Sequence, residues 1–148
     1  MKAYVIDTNI VFSTAMNTES RIGQFVMQTD PTLANFYAPT YLKREIERHV
    51  PKLITLTHNP ERVIREIIDL VYTRITFIDD AQIPIHVYSA AARLVREVDA
   101  YDVQFVALAK YLELKLWTGD MKLYRHLLRQ GFDNVASFDE VRVELRDQ

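Results

Sequence analysis

Apolar residues follow two rhythms along this chain. Short apolar runs suit strands buried in a parallel sheet. They fall at residues 3–7 (AYVID), at NFYAP closed by Pro39, at 74–79 (RITFID), at 114–118 (LKLWT) and at VASF near the end. Between them apolar positions recur at helical spacing. Ile22, Phe25 and Val26 mark a helix over about 18–28. Thr40 is the expected N-cap of a helix running to about His49. Asn59-Pro60 opens the next, with Asn as cap and Pro at the first helical position. Val63, Ile64, Ile67, Ile68 and Val71 then share one face. Pro84 opens a helix to about Val98, with Val87, Ala91, Leu94 and Val95 inward. Asp102 heads another through DVQFVALAKYLE, a helix over 121–130 stops at Gly131, and residues 139–146 form a terminal helix.

Strands alternating with helices predict a three-layer α/β/α sandwich around a mostly parallel sheet, in an order that periodicity does not give. With three glycines, five prolines and no repeat or linker, residues 1–148 read as one domain.

Composition narrows the chemistry. The absence of cysteine excludes disulfides, thiol catalysis and cysteine-bound zinc. His49, His58, His86 and His126 lie on separate segments and form no HxH or HxxxH pair, so each reads as a surface or hydrogen-bonded core residue. A net charge of −2 announces no nucleic-acid partner, but a metal held by clustered acids would leave the rest of the chain net basic. No apolar run approaches a membrane span, and the polar opening MKAYVIDTN is unlike a signal peptide. The expectation is a soluble cytoplasmic protein with no membrane partner.

Four carboxylates are placed to converge. Ligands of open α/β sheets sit at the carboxyl ends of strands. Asp7 ends the first strand, Asp120 follows the strand LKLWT, Asp102 starts a helix packed on the same sheet, and Glu45 rides the helix after the second strand. Crowded carboxylates raise one another's pKa, and a hard divalent cation relieves that repulsion through oxygen ligands. Phosphodiester hydrolysis is the natural chemistry of such a site. Each acid also has a plain reading. Asp7 and Asp120 suit turns, Asp102 suits a helix cap, and Glu45 has Glu47 as a rival two residues away.

Four local patterns, in order across nearly the whole chain, resemble the PIN-domain nuclease family. They are VIDTN, Pro39 followed by Glu45-Ile46, Asp102 followed by VQFVALA, and WTGD. None is specific alone; their order and spacing together are. The resemblance implies a parallel sheet flanked by helices, a Mg²⁺ or Mn²⁺ site, and cleavage of single-stranded or structured RNA. Carried over, the metal-binding and catalytic acids are Asp7, Glu45, Asp102 and Asp120, supported by Asn9, Asp99 and Thr118. Many small stand-alone members are toxins held by an antitoxin, so the resemblance also implies an antitoxin partner and a homodimer. Asp102, at a helix N-terminus whose dipole favours its ionised form, is expected to be a direct ligand, and Asp99 to act through water.

Other readings fit less well. A haloacid-dehalogenase-like phosphatase needs a second acid where Asn9 stands. A receiver-type domain needs adjacent acids after the first strand, which supplies only Asp7. A catalytically inactive PIN-like scaffold for RNA or protein would not need all four acids. Lys43, Arg44, Arg48 and Lys52, the pair Arg93 and Arg96, and the group Lys122, Arg125 and Arg129 are either phosphate contacts or solvated helix faces. Tyr41, Tyr101 and Trp117 are either base-stacking platforms or packing residues.

Overall fold

A computed structural model describes residues 1–146. The strands are β1 (Lys2–Ile6), β2 (Ala34–Pro39), β3 (Ile75–Ile78), β4 (Lys115–Trp117) and β5 (Val135–Ala136). The α-helices are α1 (Thr8–Met16), α2 (Arg21–Gln28), α3 (Tyr41–Thr57), α4 (Glu61–Tyr72), α5 (Ile85–Val95), α6 (Val103–Leu112), α7 (Met121–Arg129) and α8 (Phe138–Arg146). All strand pairings among the described residues are parallel, in the order β3-β2-β1-β4-β5. Helices α5, α6 and α7 pack together, with α6 laid against β1, β2 and β4. Helices α1, α3 and α4 pack with one another as the other layer. The result is the α/β/α sandwich that the alternating pattern predicts.

This order fixes where a site can form. The chain leaves β1 toward β2 on one side, and leaves β4 toward β5 on the other. The carboxyl ends of β1 and β4 therefore flank a topological switch point, where the two connections part and open a crevice. Ile6 pairs with Trp117, so Asp7 and Thr118 leave the sheet side by side.

The core is anchored by aromatics. Trp117 is fully buried, stacks on Phe138 of α8 at 5.7 Å and takes the edge of Phe25 of α2 at 5.5 Å. Edge-on and offset ring pairs of this kind add to the burial of their area. Tyr41 is buried against Phe105. Both rings are thereby removed as base-stacking candidates, and only Tyr101 of the three is exposed.

Several boundaries differ from the pattern reading. Helix α1 begins directly after Asp7, and the reading missed it because TNIVFSTAM has no clear polar stripe. Helix α3 continues past His49, through Pro51, to a left-handed cap at His58 with φ 59°. Pro51 removes one backbone donor, and tertiary packing of Ile46, Val50 and Leu53 outweighs that loss. Thr40 holds the N-cap position of α3 as expected, but without a capping bond. It lies in helical conformation, and Asp80 Oδ1 instead accepts from Tyr41 N–H at 3.3 Å. The cap of α4 is Pro60, one residue beyond Asn59. No helix among the described residues is long and apolar enough to cross a membrane.

Candidate active site

The switch point carries the acids. Asp7, almost wholly buried, caps α1 by accepting from Ile10 N–H at 3.1 Å through Oδ1. Its Oδ2 accepts from the Thr118 hydroxyl. Thr118 Oγ1 in turn accepts from Asp120 N–H at 3.0 Å. The fully buried threonine thus links the acid after β1 to the acid after β4. Asp120 caps α7 through Oδ1, from Lys122 N–H at 3.0 Å and Leu123 N–H at 3.1 Å. Gly119 lies against α1, where an added Cβ would meet Asn9 Cβ at 3.4 Å. Asn9 itself is exposed at this edge.

Glu45 comes from the second turn of α3. Its Oε1 accepts from the Thr8 hydroxyl at 2.7 Å, which ties α3 to the first residue of α1. Glu47 turns the other way and forms a two-pronged pair with Arg65 of α4, at 3.0 and 2.8 Å. That pairing holds its carboxyl below the usual range. Of the two rivals, only Glu45 faces the switch point. Thr8 was not anticipated as a contributor; its place between Asp7 and Asn9 in VIDTN was the available signal.

A short 3₁₀ turn, Ala100–Asp102, delivers the remaining pair. Asp99 caps it, accepting from Tyr101 N–H at 2.9 Å. Asp102 stands at the start of α6 but makes no capping bond. Its Oδ2 is buried and has no hydrogen-bond partner. A buried carboxylate oxygen left without a donor is costly, and native structures rarely keep one without a reason.

The electrostatics show which acids face one another. Burial, and after it repulsion from Asp99, Asp7, Asp120 and Glu45, together push the Asp102 carboxyl up to about 7. Burial likewise pushes Asp7 up to about 6 against the bonds from Thr118, Ile10 and Gly119, with Asp120 adding repulsion. Glu45 is raised by burial and by Asp99, against Thr8, His49 and Arg48. The expectation that the α6 N-terminus holds Asp102 ionised is therefore overturned. Desolvation and four acidic neighbours outweigh the helix dipole, whose effect is confined to a turn and is small.

All five acids thus share one electrostatic neighbourhood. Among the described residues, no three Asp, Glu or His side chains close up into a ready-made ligand cage. The donor set still suits a hard divalent cation, being all oxygen and free of Cys and His. The partnerless Asp102 oxygen also fits, since a cation would satisfy it.

The chain belongs to the PIN-domain family, whose sequence profile matches residues 5–145. No protein of curated function matches it in sequence. Solved structures share its fold. A chain of VapBC2 from Rickettsia felis, in a complex bound to a DNA fragment from its promoter, superposes with a TM-score of 0.63 at 14% identity, covering 91% of this chain and 98% of that one. PAE2754 from Pyrobaculum aerophilum superposes with a TM-score of 0.69 at 15% identity, covering 99% of this chain and 91% of that one. Membership of the family sets aside the phosphatase reading, and the order β3-β2-β1-β4-β5, which differs from the 2-1-3-4-5 of receiver domains, sets aside the receiver reading as well.

Proposed function

We propose that the chain is a Mg²⁺- or Mn²⁺-dependent endoribonuclease whose site is formed by Asp7, Glu45, Asp102 and Asp120. The observation that carries this reading is the buried, partnerless Asp102 oxygen, surrounded by acids that each raise the Asp102 pKa. Such a group is a liability in an inert scaffold and an asset in a cation site. When bound, the cation lowers the pKa of a water and offsets the charge that develops on a phosphate oxygen.

The chain's own residues divide the remaining work. Thr118 holds Asp7 and, through the Asp120 N–H, the turn that carries Asp120. Thr8 fixes the Glu45 carboxylate across the crevice. Backbone donors hold Oδ1 of Asp7 and of Asp120, and the Thr118 hydroxyl holds Oδ2 of Asp7 as well. Asp99 supports Asp102 from the same turn, in the manner of an outer-shell group. Asn9, exposed beside Gly119, supplies an amide to water or phosphate.

The Rickettsia felis neighbour belongs to a VapBC2 assembly, and that likeness supports a toxin role for this chain with a protein antitoxin as partner; a homodimer is proposed on the family resemblance alone. A second reading, a non-catalytic PIN scaffold, draws on the open spacing of the carboxylates. An end-labelled single-stranded RNA, incubated with Mn²⁺ and separately with excess chelator, distinguishes the two. The nuclease reading expects cuts only with the metal. Undiminished cutting in chelator, or none in either tube, removes it.

A further inference from the structure

Folding leaves one aromatic ring in solvent at the acid site. Only Tyr101 and Tyr111 among the described aromatic residues are exposed, at 64% and 40%. Tyr111 lies near the end of α6, one helix length from the acids. Tyr101 stands between Asp99 and Asp102, inside the 3₁₀ turn that presents both. Its backbone N–H is fixed on Asp99 Oδ1, so the ring projects from an anchored turn. Among the described residues it makes no ring–ring or cation–ring contact. The preceding residue, Ala100, lines with Arg93, Arg96 and Val103 a cavity of about 400 Å³ with an apolar floor. Both arginines are exposed and make no ion pair among the described residues. An open ring, an apolar floor and two uncommitted guanidinium groups form a platform for a base with its phosphates.

We propose that Tyr101 is the residue that selects unpaired substrate, by stacking the base of a nucleotide next to the cut phosphate. This rests on the nuclease reading above and names what that site requires of its substrate. A base in a duplex is already stacked on both faces and cannot cover the ring. A single strand can, and the exposed Arg93 and Arg96 are cations available to its phosphates. Stacking needs the ring and not the hydroxyl, so phenylalanine and tryptophan preserve it and alanine does not.

The test uses the full chain in chelator, where binding is read without cleavage. The probes are a short single-stranded RNA, its duplex, and the same strand with one abasic position. Because the native Trp117 is fully buried, Tyr101→Trp adds a reporter on the surface. Expected are quenching of that reporter by the single strand and little by the duplex. The quenching should weaken when the abasic position falls beside the cut. Tyr101→Ala should bind the single strand about tenfold more weakly, within the range for loss of one base–aromatic stack, and Tyr101→Phe should bind like the native chain. Equal binding by Tyr101→Ala and the native chain overturns the proposal, as does equal quenching by duplex and single strand. A loss in Tyr101→Phe as large as in Tyr101→Ala also overturns it, since the hydroxyl would then be the contact. A change of oligomeric state in Tyr101→Ala would assign the ring to a protein interface instead. If the native chain cuts RNA while Tyr101→Ala is unaffected, only this proposal fails; if the native chain neither binds nor cuts, the nuclease reading fails with it.

Discussion

Replacing Asp102 by asparagine should make the metal-free protein more stable while abolishing cleavage. The carboxyl is raised from 3.8 to about 7, chiefly by burial and then by Asp99, Asp7, Asp120 and Glu45. A folded-state pKa above the unfolded one means that the folded chain binds the extra proton. That contribution is complete below about pH 4 and is lost as pH rises through about 7. A shift of this span corresponds to at most about 4 kcal/mol, at 1.36 kcal/mol per unit. Asp102 is only partly buried, and solvent screening reduces the figure to about 1–2 kcal/mol. Asparagine carries no charge and keeps the shape. Thermal unfolding in chelator at about pH 8 should therefore show Asp102→Asn melting about 2–8 °C above the native chain, at about 2–4 °C per kcal/mol. Near pH 4 the two should coincide. Saturating Mn²⁺ should reverse the order, because ligand binding stabilises only the chain that holds it, by about 2.7 kcal/mol at a hundred times Kd. A variant that melts lower than the native chain at pH 8 in chelator would refute the reasoning. So would a native stability that is flat between pH 4 and 8.

Other substitutions check separate parts of the account. Glu45→Gln should reduce RNA cleavage by about 100-fold or more, whereas Glu47→Gln should leave it intact and cost under about 1 kcal/mol in denaturant unfolding, because its pair with Arg65 is exposed. Asp99→Asn should weaken Mn²⁺ binding by about 10–100-fold in calorimetric titration, as outer-shell losses do. Trp117→Ala should cost about 3–5 kcal/mol in the same unfolding assay, since it empties the space between Phe25, Phe36 and Phe138. A loss under about 1 kcal/mol would show that those rings close the gap.

Strand–helix alternation was legible because each strand is a short apolar run and most helices repeat their apolar face. Two helical features were not. Helix α1 is buried on several sides at Ile10, Val11, Thr14 and Ala15, so it shows no polar stripe. Helix α3 runs through a proline, a local signal that packing overrides. The positions of Asp7, Asp102 and Asp120 at element starts could be read, since caps and strand ends have local signatures. The choice between Glu45 and Glu47 could not. It depends on α4 bringing Arg65 to one face and α1 bringing Thr8 to the other. The protonation of Asp102 was misjudged for a related reason. A helix N-terminus is visible in sequence, whereas the desolvation and the four facing acids exist only once the sheet order places them together. The strand order itself, which creates the switch point, has no signature in periodicity.

The central claim is that these carboxylates hold a divalent cation, and direct Mn²⁺ titration tests it most plainly. Free Mn²⁺ followed by electron paramagnetic resonance reports binding independently of any RNA. The account predicts saturable binding by the native chain, lost in Asp7→Asn and in Asp102→Asn while both remain folded. Binding that is equal in the native chain and the two variants would contradict it, and so would a native chain that takes up no Mn²⁺.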